Sequence, residues 1–116
     1  MKIEFENRRV EKIFSNYHEM IRIIGFEKTR AVKKRLDQLK AAVSFQKWLD
    51  ARLGNPHSLT GFERGKYYGV SVTSNYRLVL RAETEDHSAE SLSLCTIVVV
   101  KGVCDYHGGK TNWIIE

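Results

Sequence analysis

Proline occurs once in this chain, at position 56, and cysteine twice, at positions 95 and 104. Two cysteines cannot supply the multi-bridge framework of a small secreted domain. Nor is a zinc cage complete, because Cys104 and His107 form a single Cys-x-x-His pair without two further ligands. Long apolar runs are also missing. Nothing approaches the ~18 consecutive apolar residues of a membrane span, and the opening stretch MKIEFENRRV has no apolar signal core. No glycine-rich phosphate loop and no Gly-x-Ser-x-Gly elbow occurs. These absences give the expectation of a cytoplasmic protein with reduced thiols, no metal, no cofactor and no membrane partner. The single proline and only eight glycines argue against a disordered chain.

What is present is enough for one core. The 116 residues are read as one domain, 1–116, and 42% of them are hydrophobic, including two Trp, five Tyr and five Phe. The net charge is +5, from 19 Lys and Arg against 14 Asp and Glu. A basic balance in a small domain points to a polyanionic partner, nucleic acid or an acidic protein.

Hydrophobic spacing predicts the elements. Ile3 and Phe5 lie on one face of a short strand, Lys2 to Phe5. Asn7 suits a helix N-cap, and Val10, Ile13, Phe14, Tyr17, Ile21 and Ile24 recur at helical spacing up to Gly25. A second helix, about Glu27 to Ala42, has Val32, Leu36, Leu39 and Val43 as its apolar stripe and Lys28, Arg30, Lys33, Lys34, Arg35 and Lys40 elsewhere. Ser44 is placed to cap a third short helix carrying Phe45, Trp48, Leu49 and Leu53, ended by Gly54 to Pro56. Lys66 to Val72 and Tyr76 to Leu80 alternate as strands, and Leu92 to Val103 reads as a third. The segment AETEDHSAE between them is a polar hairpin tip. The fold class is α+β, with N-terminal helices packed on one face of a small antiparallel sheet.

The hairpin register is testable from parity. A two-residue turn at Ser74-Asn75 would put Val72 and Arg77 on the same face. A three-residue loop, Thr73 to Asn75, pairs Val72 with Tyr76. Then Tyr68, Val70, Val72, Tyr76, Leu78 and Leu80 face the helices, while Tyr67, Ser71, Arg77 and Arg81 share the uncovered face.

That face would gather chemistry. His57, Arg64 and Lys66 come from the preceding loop, and Tyr106 and His107 from the end of the last strand. A guanidinium grips a phosphate and steadies charge growing on it; an imidazole moves a proton near neutral pH; a phenol ring stacks on a base. Together they suit attack on RNA by its own 2′-hydroxyl. Each side chain also has a plainer role, as a solvated strand residue, a surface histidine or an edge of the core.

The words HSLTGFERGKYYGVSVTSNYRLVL and, downstream, CDYH resemble the HigB-like branch of the RelE/ParE toxin superfamily. FENRRVEKIF and TRAVKKRLDQLKAA are similar to that branch as well, so the resemblance covers residues 3 to about 107. It implies a RelE-like fold and ribosome-dependent, metal-independent cleavage of mRNA, silenced by a helix-turn-helix antitoxin. It assigns phosphate contact to Arg77, substrate orientation and proton transfer to Tyr106 and His107, and a supporting role to His57. Lys66 and Arg64 would add charge at the site, with Arg81 beside them, and Lys33, Lys34 and Lys40 would grip ribosomal RNA. Thr60 and Thr73 stand where the family has a lysine and an arginine. Two other readings share the scaffold: a non-catalytic protein that only binds an antitoxin or RNA, and a ParE-type gyrase inhibitor.

Overall fold

Two asparagines decide where the first helices begin. The computed structural model describes residues 1–59, 66–108 and 110–116. Asn7, in extended backbone, accepts a hydrogen bond from the Val10 amide and opens α1 (Arg8–Phe14). The single helix expected up to Gly25 is in fact two. Asn16 accepts from the Glu19 amide at 3.3 Å and starts α2 (Tyr17–Ile24). The short polar side chain of Asn16 offers the backbone a cap in place of a continued helix. The apolar phase carries across the break, so spacing alone does not reveal it. Gly25, at φ 89°, closes α2 and opens α3 (Phe26–Ala41), in a conformation that disfavours a β-carbon. Ser44 caps α4 (Phe45–Ala51) through the Lys47 amide, as expected.

The strands are β1 (Lys2–Phe5), β2 (His57–Leu59), β3 (Tyr67–Ser71), β4 (Tyr76–Ala82), β5 (Ile97–His107) and β6 (Lys110–Ile115). They form one sheet in the order β1-β5-β4-β3-β2, with β6 also on β5. The sheet is mixed, not antiparallel throughout. β1 runs parallel to β5, with Lys2 opposite Ile97 and Phe5 opposite Val100. The long connection between them, which carries α1 to α4, β2 to β4 and a further helix, permits that pairing, which a tight hairpin cannot make. The expected strand start at Leu92 is instead the last turns of α5 (Ala89–Leu94), capped by the Ser88 hydroxyl. Leu92 is buried there on one helical face.

The β3–β4 hairpin has the odd-length loop. Ser71 pairs with Arg77, Tyr67 with Arg81, and the Val72 amide bonds to the Tyr76 carbonyl at 2.9 Å. Val70, Val72, Leu78 and Leu80 accordingly join Val10, Val32, Leu36, Leu39, Phe45 and Trp48 in the main core, with Tyr68 and Tyr76 packed against it. Arg35, expected on a solvated face, ties α3 to the sheet: its Nε donates to the Ser71 carbonyl at 2.8 Å.

β5 organises the other face. A bulge lies between its pairs Leu80–Val100 and Val79–Gly102, so Lys101 has no opposite residue on β4. Beyond it Leu78 faces Val103 and Arg77 faces Cys104. Gly102 lies where β1 ends and β6 takes over the same edge; a β-carbon there would sit 1.8 Å from the Ile115 carbonyl oxygen. On this face Tyr67, Val79 and Cys104 form a second small core, with Leu59 and Trp113 against it. The face expected to be bare is therefore partly filled.

Candidate functional site

Cross-strand partners share a face, and the face alternates along each strand. Since Arg77 opposes Cys104, Arg77, Cys104 and Tyr106 point to one side, together with Gly69 and His57, which pair with each other on β3 and β2. These residues line a cleft of about 330 Å³ with Ser58 and Leu59. His57 is exposed at its edge and Tyr106 is 40% exposed. Arg77, Tyr106 and His57 are thus brought together.

His107 is not. It follows Tyr106 by one residue, so it projects from the opposite face, on the side of Asp105 and Tyr76. Its Nδ1 lies 3.1 Å from Asp105 Oδ1, two residues back on that same side. The expected convergence of Arg77 and His107 on one patch is overturned by strand parity. The imidazole that shares the cleft with Arg77 is that of His57, which the sequence reading placed in a supporting role.

Arg77 is anchored by the turn it follows. Its Nη1 donates to the carbonyls of Thr73, Ser74 and Tyr76 at 3.2, 3.2 and 3.1 Å. Among the described residues, Nε and Nη2 have no hydrogen-bond partner, so one edge of the fork is available to an oxyanion. Thr73, at the position of an expected second cation, contributes only its carbonyl to this anchor.

Arg81 is held by two carboxylates. It is 18% exposed and lies 3.5 Å from Glu6 and 3.2 Å from Glu83. Burial works against its charge, but the Glu83 hydrogen bond and the two carboxylates more than offset that and raise its pKa. Glu6 also accepts the Tyr67 hydroxyl at 2.9 Å. Lys66 reaches the Tyr67 ring on the same face, its Nζ 5.7 Å from the centroid. Lys33, Lys34 and Lys40 are exposed on α3, whose apolar stripe packs on the other side of the sheet, so they form a separate surface and do not line this cleft. Arg64 and Thr60 lie outside the described residues.

Cys104 forms part of the cleft wall but is 1% exposed. Burial pushes its thiol up to about 11 from an ordinary 9.0, against the pull of Arg77. That leaves about 100-fold less thiolate at a given pH. Cys95 is buried too, its thiol directed at the Ile97 carbonyl 3.1 Å away. Both thiols of the folded protein should react with a chromogenic disulfide reagent at least ~100-fold more slowly than in urea, measured by absorbance at constant pH. Fast native labelling would show that the cleft wall opens.

Among the described residues no group of three or more His, Cys, Asp or Glu side chains could hold a metal ion, and no helix is long and apolar enough to cross a membrane. Fold and site together define an α+β protein with a small cationic and aromatic cleft on the face of its sheet away from the helices. No protein-family model, curated protein or solved structure matches the chain.

Proposed function

We propose that this protein is a HigB-like, RelE-fold toxin that cleaves mRNA on the ribosome, held silent in the cytoplasm by a helix-turn-helix antitoxin. The observation that carries the reading is the meeting of Arg77, Tyr106 and His57 in one cleft. His57 takes the proton of the 2′-hydroxyl as that oxygen attacks the adjacent phosphorus. Arg77 binds the phosphate oxygens through Nε and Nη2, where charge builds up. Tyr106 holds a base by stacking. The bond to the 5′ oxygen breaks, that oxygen takes a proton from water, and a 2′,3′-cyclic phosphate remains. His107, on the other face, has no part in this step.

The test is cleavage of a translated mRNA by purified protein with ribosomes, with 5′ ends mapped. Arg77→Ala should lose at least ~10²-fold in rate, the usual effect of removing one oxyanion donor. His57→Ala should fall by ~10²–10⁴, as for loss of a general base, and His107→Ala by much less. A large loss only in His107→Ala would reject the assignment; no cleavage by the parent protein would reject the nuclease.

A second reading has its own observation. Nη1 of Arg77 is already engaged by three carbonyls, and Thr73 adds no charge beside it. A protein that binds RNA or an antitoxin without cutting fits that arrangement. It predicts growth unaffected by expression and RNA binding that survives His57→Ala.

A further inference from the structure

The cleft does not end at Cys104. On β6, Trp113 pairs with Cys104 and so stands beside the cleft on the same face. It is half-buried against Tyr67, Val79 and Cys104. Lys101 lies against it: the ammonium is 5.3 Å from the Trp113 ring centroid and 5.5 Å from that of Tyr67. Lys66 approaches Tyr67 as well. The bulge is what aims Lys101 here. Two successive residues of β5, Lys101 and Gly102, fall opposite Val79 and its neighbour on this face, and the place a Gly102 side chain would take is filled by the Ile115 backbone.

The ammonium of Lys101 meets two aromatic rings. Among the described residues no carboxylate lies within ion-pairing distance of it, whereas Arg81 on the same face is held by Glu6 and Glu83. From Cys104, opposite Arg77, to Lys101 is three residues of strand, roughly 10 Å. An aromatic ring and an unpaired ammonium, one short step from a guanidinium, match the recurring pattern of single-strand binding, in which bases stack and cations follow the backbone. A folded acidic protein would gain little from a half-buried ring beside the cleft, and duplex RNA exposes no base faces to it.

We propose that Trp113 and Lys101 form a second subsite for single-stranded RNA, which takes the nucleotide next to the one held at Arg77: the base stacks on Trp113 and its phosphate lies on Lys101. This rests on RNA being the ligand of the neighbouring cleft. β6 is then part of the binding surface as well as an edge strand.

The probe is a fluorescein-labelled 12-nucleotide 2′-O-methyl oligouridine, which cannot undergo 2′ attack, titrated at several salt concentrations. Trp113→Leu should weaken binding about 5- to 150-fold, and Trp113→Phe should restore most of it. Lys101→Ala should reduce the salt slope by about one unit. Trp48 is 2% exposed, so base stacking should quench only Trp113, and Trp48→Phe isolates that signal in a chain that keeps the subsite. The proposal is overturned if Trp113→Leu, folded by circular dichroism, binds like the parent. It is equally overturned if Trp113 emission does not move at saturation, or if duplex RNA of the same length binds better. Binding and quenching without any cleavage of mRNA would leave this subsite standing and reject the nuclease. Cleavage unimpaired in Trp113→Leu, with no quenching, would do the reverse.

Discussion

Gly102→Ala should cost about 2–6 kcal/mol and detach the end of β6. The added carbon would lie 1.8 Å from the carbonyl oxygen of Ile115, and that neighbour is backbone, with no rotamer to swing away. Gly102 also has φ 156°, at the margin of what an L-residue accepts. Backbone strain of ~1–3 kcal/mol and a forced displacement of ~1–3 kcal/mol both apply. Either β5 or β6 must move, and β6 is held on one side only. The expected signature is a lower urea midpoint, faster hydrogen exchange at Ile115, and a red shift of Trp113 emission while Trp48 stays buried. Gly25→Ala is the control. Gly25, at φ 89° and ψ 165°, carries the same ~1–3 kcal/mol of backbone strain, but nothing lies within 4 Å of its new carbon, so the displacement cost is absent. Equal effects at the two positions would show that contact with Ile115 is not the cause.

Trp48→Ala should cost about 3–5 kcal/mol, a large share of the ~5–15 kcal/mol that holds a domain of this kind folded. The indole is 2% exposed and stands 5.3 Å from the Phe45 ring, which in turn meets Tyr68 of β3 at 5.3 Å. Its loss leaves a void between α4 and the sheet that rigid neighbours cannot fill. The midpoint of thermal unfolding should fall by on the order of 15 °C. Trp48→Phe keeps an aromatic ring in place and should cost less than half as much. A thermal shift under ~4 °C for the alanine variant would mean that α4 is not packed as the structure has it.

The sequence legibly reports whatever depends on local alternation and local caps. Asn7, Ser44 and Gly25 mark helix ends by their own chemistry. The parity of Val72, Tyr76 and Arg77 fixes the odd loop of the hairpin, because the other register would mix apolar and charged rows. The α+β class and the core side of each strand follow from the same alternation. Other features depend on partners far along the chain. The break at Asn16 is hidden because both helices keep one apolar phase. β1 reads as a strand, but nothing local says that it runs parallel to β5. Leu92 fits a strand or a helix equally well, and a short apolar run does not choose between them. The misplacement of His107 comes from ending the last strand at Val103: β5 runs on to His107, and adjacent residues of one strand face opposite ways, so Tyr106 and His107 cannot share a face. His57 joins the cleft only through β2, three residues long, too short for periodicity to mark.

The parallel pairing of β1 with β5 has a consequence for biosynthesis. The two strands are about 95 residues apart in the chain, so β1 leaves the ribosome well before its partner is made. At ~5–20 residues per second that delay is roughly 5–20 s. β5 is also the strand to which β4 and β6 attach, so the sheet closes late and almost all at once. A chain stalled before residue 97 would hold a hairpin and loose helices, with neither Tyr106 nor Trp113 yet made. Termination before residue 97 would therefore leave β1 and β4 without the strand that joins them.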